Sequence, residues 1–243
     1  MTATTTTAAT TATRTLVRDD VPDARPETRP SSPGRLWALS GVGAAATGVA
    51  GIVATMAMNA VYDPAVSGNA EKVLDAMAAQ RTASSVFHVL TAASAMLLVP
   101  FAAGLHRRLR AALPADSLLP VVAAAGVVVT SVVLVLGSGL DTEFGSGLPG
   151  KGQVVAENVS MYGHWVGTIP YLWTGMGLAG IALAAAARHR AVARWVGVVG
   201  LLLGGVTLVA GVSPLEYLAG LVGPLWLLAT ATGFLVGDRA HRR

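Results

Sequence analysis

Four side chains in this sequence are of types that could do acid–base chemistry away from obvious charge clusters: His88, Asp141, His164 and Glu216. A histidine beside a carboxylate can accept and return a proton near neutral pH. On one helix His164, Thr168 and Tyr171 fall at i, i+4 and i+7 and share a face. His88 and Thr91 do the same at i and i+3. If both faces turn inward, two imidazoles and one or two carboxylates converge in a pocket. Asn59, Thr91, Thr168 and Tyr171 would add ligand-binding groups to it. Such a site suits acid–base work on a lipophilic substrate, His88 or His164 acting with Asp141 or Glu216.

A metal needs about three converging ligands, and His with carboxylate suits zinc. The candidates His88, His164 and Glu143 are scattered over separate segments without local HExxH spacing, so no metal is expected. Haem held by His88 and His164 would need the two rings across a gap, which no spacing supplies. The chain has no cysteine. That removes disulfides, thiol catalysis, iron–sulfur clusters and covalent haem attachment, and no other pattern names a cofactor. A plain reading stands beside the sharp ones. His164 and Trp165 can sit in a headgroup belt, Glu216 can cap a helix, and Asp141 can simply end one.

The elements that would position these groups are read from hydropathy. The 243 residues are 53% hydrophobic and 12% charged, with a mean hydropathy of +0.60. Soluble domains carry about 25% charged residues. The deficit points to an all-α polytopic membrane protein. Six apolar segments are predicted, at 36–62, 84–105, 118–140, 164–187, 193–212 and 214–237. Each is near the ~20 residues that cross ~30 Å of hydrocarbon. The valine-rich third segment is too long for a strand, and the alternation of a membrane barrel is absent. Residues 1–35 form a Thr/Ala-rich and then Arg/Asp/Pro-rich tail with too little apolar surface to fold, predicted to be disordered.

Basic residues alternate between the connections. Fourteen of the seventeen flank one side of the predicted spans, in clusters at Arg14–Arg35 in the tail, Arg107 to Arg110, Arg188 to Arg194 and Arg239 to Arg243. Only Lys72, Arg81 and Lys151 fall on the other, among Asp63, Glu71, Asp75, Asp141, Glu143, Glu157 and Glu216. The positive-inside rule then places both termini in the cytoplasm, with a basic C-terminus at 238–243. This clustering at membrane boundaries argues against nucleic acid as the partner of the +4 net charge. The bilayer is the expected partner, and a homo-oligomer or a membrane protein is left open.

The stretch 69–80 is amphipathic and predicts a surface helix. Residues 141–163 predict a Gly-rich loop followed by a short helix from Gln153 to Tyr162. Ser213-Pro214-Leu215-Glu216 reads as a capping box with proline at the first helical position. Gly43, Thr47, Gly51 and Thr55 form a small-residue row, and Gly200 with Gly204 forms a GxxxG, both expected to pack inside the bundle. Pro100, Pro170 and Pro224 lie within three segments, as tolerated kinks or as breaks that line a site. No Asp, Glu, Lys or Arg falls at mid-span, which counts against an ion-coupled transporter. The aromatics Tyr62, Tyr162, Trp165, Tyr171, Trp173 and Tyr217 are expected to form a belt at one boundary, and Trp37 and Trp195 to mark the other.

The segments from His88 to LHRRLR, GHWVGTIPYLW at 163–173 and GVSPLEYLAGLVGPLW at 211–226 resemble uncharacterised six-helix membrane proteins of high-GC bacteria, grouped as a domain of unknown function. The resemblance implies the fold and a bacterial cytoplasmic membrane, and no activity. The leading expectation is a structural, accessory or small-ligand-binding bundle. A membrane enzyme or cofactor binder using the His/carboxylate groups is the alternative, and a transporter subunit a further one.

Overall fold

The computed structural model describes residues 35–147 and 155–236. The predicted disordered tail before Arg35, part of the Gly-rich loop and the basic C-terminus lie outside these residues. Among the described residues the fold is all-α, with eight helices and no strand. They are α1 (Leu36–Thr55), α2 (Ala70–Ala79), α3 (Arg81–Arg110), α4 (Leu119–Gly147), α5 (Ala156–Thr168), α6 (Thr174–Arg188), α7 (Arg194–Gly211) and α8 (Glu216–Val236). Five of them, α1, α3, α4, α7 and α8, are long and apolar enough to cross a membrane. Their outward faces carry apolar side chains such as Val53, Met96, Val132, Leu202, Val209 and Leu225, all exposed. A ring of exposed apolar side chains around a packed interior is the signature of a multi-pass membrane protein.

The packing order is α1, α3, α4, α6, α7, α8 and back to α1, each neighbour antiparallel to the last. Small residues make the approach close. Gly41 of α1 lies under Phe101 of α3 and Ala231 of α8, and Gly180 of α6 faces Gly200 and Gly204 of α7. The GxxxG therefore serves a contact within the chain. Around it α7 carries one π-helical turn, Gly200–Gly204, which stays continuous with the helix on both sides. On α1 the buried residues are Ala38, Gly41, Ala44, Ala45, Gly48, Gly51, Ile52 and Thr55, which include Gly51 and Thr55 of the predicted row. Gly43 and Thr47 are only half-buried, and Thr47 bonds back to the Gly43 carbonyl. Two serines bond across helices: Ser94 donates to Ala44 O at 2.9 Å and Ser131 to Ala95 O at 2.8 Å.

The alternation collects Arg35, Arg107, Arg108, Arg110, Arg188 and Arg194 at one end of the bundle. There Arg35 donates to the Leu235 carbonyl at 2.9 Å and ties the start of α1 to the end of α8. Trp37 packs on Phe101 and Phe234 at the same level. The turn from α6 to α7 is a Schellman closure. Ala191 N–H reaches Ala186 O, Arg190 N–H reaches Ala187 O, and Arg190 sits at φ 57°. A left-handed arginine is strained by about 1–2 kcal/mol. Arg190→Gly is therefore expected to stabilise the folded protein by about 1 kcal/mol, read as a raised thermal midpoint in detergent.

The opposite, acidic end carries a cap. The amphipathic stretch forms α2 as expected, with Asn69 accepting the Lys72 N–H at 3.0 Å and Val73, Leu74 and Met77 buried. These pack with Met58, Val61, Phe87, Val159, Tyr162 and Val166 into a second core over the end of α3.

Four expectations change here. Helix α1 ends at Thr55 rather than running to Tyr62, and a 3-10 turn over Ala60–Tyr62 follows it. Helix α4 does not stop near Asp141 but runs on to Gly147, because Asp141 and Phe144 find partners on α3 and α5. The predicted segment 164–187 is not one helix. It divides into α5, a 3-10 turn Ile169–Tyr171 around Pro170, and α6. Proline lacks an N–H and restrains the residue before it, so the α-helical ladder ends there. Helices α3 and α8 instead continue through Pro100 and Pro224. Last, the capping box is not closed: Ser213 Oγ accepts the Leu215 N–H at 3.2 Å, one residue short of Glu216.

Candidate functional site

All four tyrosines of the chain, Tyr62, Tyr162, Tyr171 and Tyr217, gather at the acidic end, and three of them line one recess. It has a volume of about 370 Å³ and is bounded by Thr55, Asn59, Tyr62, Gly167, Tyr171 and Tyr217 with two methionines. Each wall has a local cause. Helix α1 ends at Thr55, and a 3-10 turn over Ala60–Tyr62 brings Tyr62 across. The break at Pro170 turns Tyr171 out of the helical row it would have shared with His164 and Thr168. Tyr217 enters from the first turn of α8.

The rings are held to one another. Tyr171 and Tyr217 meet edge to face with centroids 5.2 Å apart, and the Tyr171 hydroxyl lies 3.3 Å from Thr55 Oγ1. Tyr62 meets the His164 ring edge to face at 5.5 Å. Partial burial raises the Tyr62 hydroxyl above its ordinary 10, and Tyr217 beside it adds to the rise. Asn59 Oδ1 accepts from Gln80 Nε2 at 3.2 Å. No lining residue carries a charge.

A second polar group lies between α3, α4 and α5. His88 Nδ1 is 3.9 Å from Asp141 Oδ2 and 3.2 Å from Ser138 Oγ. The Asp141 side chain is 2% exposed and that of His88 35%. Next to the carboxylate stands the Tyr162 hydroxyl, itself 3.0 Å from Ser84 Oγ. Phe144 stacks on the Tyr162 ring at 5.5 Å. Neither Asp141 oxygen has a donor in full hydrogen-bond geometry.

The structure thus brings His88 to Asp141 but does not bring His164 to them. His164 is exposed on α5 and packs on Tyr62, whereas Tyr162, two residues earlier and ~200° round the helix, faces Asp141. Of the other expected pocket residues, Asn59 and Tyr171 line the recess. Thr91 is buried against Gly51, and Thr168 donates to its own helix at His164 O. Glu143 is exposed, and Glu216 is half-buried at the start of α8. No group of three or more His, Cys, Asp or Glu comes together among the described residues. Tyr62 and Tyr217 fit a boundary belt by exposure, but Tyr162 and Trp173 are buried and belong to the interior.

Sequence reasoning passed over Ser84 and Ser138, and read Tyr162 and Tyr217 only as members of the aromatic belt. Ser84 precedes His88 by four residues and Ser138 precedes Asp141 by three. Those spacings put each serine on the face of its ionisable neighbour, a usable signal. Nothing local singles out Tyr162 or Tyr217. The chain matches no protein-family model, and no curated protein or solved structure is significantly similar to it.

Proposed function

We propose that this chain is a small-ligand-binding membrane bundle that crosses the bilayer six times, with both termini in the cytoplasm and the tyrosine-lined recess open to the other side. The observation that carries the reading is the recess itself, formed where the fourth crossing breaks at Pro170. Supporting the orientation, the arginine clusters share one end, and an arginine-rich end faces the cytoplasm. α6 is only 15 residues, about 22 Å long. The cap helix α5 and the turn complete the remaining depth. Irregular backbone at that level is tolerated where it lines a cavity. A bacterial cytoplasmic membrane is the setting that the composition and the resemblance suggest.

Access tests it. In the cysteine-free chain an Asn59→Cys variant provides a single thiol in the recess. An impermeant anionic methanethiosulfonate added outside whole cells is expected to modify it within about tenfold of the rate at Ser67→Cys in the neighbouring turn. Thr91→Cys, 3% exposed, is expected not to react. An unreactive Asn59→Cys would end the reading.

A second reading is favoured by the His88–Asp141 contact: acid–base chemistry on an amphipathic substrate at the α3/α4 groove. With Ser138 Oγ at 3.2 Å and Asp141 Oδ2 at 3.9 Å both able to accept from Nδ1, the proton is expected there, which leaves Nε2 as the base. Nitrogen NMR of labelled histidine is expected to show His88 as the Nδ1–H tautomer, lost in Asp141→Asn. An Nε2–H tautomer in the wild type would exclude Asp141 as the partner that prepares His88.

A further inference from the structure

We propose that the recess takes an organic cation, a quaternary ammonium of choline size, through the ring faces of Tyr62, Tyr171 and Tyr217. The inference rests on the recess reading above and names its ligand class. Three tyrosine rings line about 370 Å³ with no lysine or arginine among the lining residues. Cations bind within ~6 Å of aromatic ring centroids, and quaternary ammonium heads are the usual guests of aromatic cages. The Tyr171 and Tyr217 centroids lie 5.2 Å apart, so one cation can come within that range of both rings.

The surrounding charge has the matching sign. Among the described residues the acidic end carries Asp63, Glu71, Asp75, Asp141, Glu143, Glu157 and Glu216 against Lys72 and Arg81. Asp63 directly follows Tyr62, and Glu216 directly precedes Tyr217. A field of this sign concentrates cations and repels anions at the mouth. An anionic ligand would find neither a basic side chain in the lining nor a favourable potential outside it. The wall offers what a methylated ammonium needs, aromatic rings and two methionines as contacts, and its hydroxyl and amide groups are uncharged. The hydroxyls of Tyr171 and Thr55, already close to one another at 3.3 Å, are left to hold the cage in shape.

The test uses the Asn59→Cys thiol as reporter, with choline and its uncharged isostere 3,3-dimethylbutan-1-ol as probes. Choline is expected to slow modification by the anionic methanethiosulfonate in a saturable way, and the isostere to need about tenfold higher concentration. Tyr171→Phe keeps the ring and should keep protection within about threefold. Tyr171→Leu and Tyr217→Leu should weaken it about tenfold. Tyr217 is 45% exposed, so its variant remains informative should Tyr171→Leu fail to fold. Modification without choline protection, or equal protection by the neutral isostere, would overturn the cation and leave the recess standing. Loss of protection in Tyr171→Phe equal to that in Tyr171→Leu would assign binding to the hydroxyl and overturn the cage. A thiol that does not react at all would remove the recess and this inference with it.

Discussion

Gly180→Leu is expected to destabilise the bundle by about 3 kcal/mol or more, at the upper end of the cost of overpacking. A Cβ at Gly180 would lie 2.7 Å from Gly204 Cα and 2.8 Å from Gly200 O. Both are backbone atoms, so no rotamer change relieves the clash, and α6 must move off α7. Between membrane helices such close approach is a main source of association, because lipid tails compete equally for apolar side chains. Gly139→Leu is the control. Gly139 has nothing within 4 Å of its would-be Cβ, and the change there should stay within about 0.5 kcal/mol. Thermal unfolding in one detergent, followed by loss of the monodisperse peak, separates the two. Equal midpoints would show that the α6–α7 contact is not a tight one.

Trp173→Ala is expected to cost about 3–5 kcal/mol. Trp173 is 1% exposed and stands where the broken segment re-enters the helix at α6. Its ring lies against Gly48 of α1, and its Cβ region against Gly223 of α8. Removing it leaves a cavity among three helices and frees the turn that carries Tyr171, so recess binding should fall as well. A compensating change checks the mechanism. Gly48→Ala puts a methyl 2.6 Å from the Trp173 ring and should destabilise the wild type. In the Trp173→Ala background the same methyl enters the cavity and should be neutral or stabilising. Additive losses would mean that the two residues do not share a contact.

Much of the frame was legible because its signals are local. The amphipathic stretch with Asn69 at its head gave α2, and the apolar runs gave α3, α7 and α8 to within about five residues and the start of α1, whose helix ends seven residues before Tyr62. The site was less legible, because tertiary contacts decide it. Asp141 looked like a helix end, since hydropathy falls there. Its burial against His88 and Tyr162 carries α4 two turns further. His164 and Tyr171 shared a face only on the premise that the helix was continuous, and Pro170 ends that premise. In the sequence Tyr217 reads only as a member of the aromatic belt. It becomes a wall of the recess because α8 closes against α1, a pairing far apart in sequence.

The central claim is six crossings with the recess away from the cytoplasm, and the absence of cysteine allows it to be measured directly. Single cysteines at Ser67, Ala115, Met161, His189 and Ser213 report on successive connections. An impermeant maleimide applied to intact cells is expected to label Ser67→Cys, Met161→Cys and Ser213→Cys at once. Ala115→Cys and His189→Cys should label only after permeabilisation. Met161 and His189 labelled from the same side would show that α6 does not cross, and labelling of Ala115→Cys in intact cells would contradict the orientation.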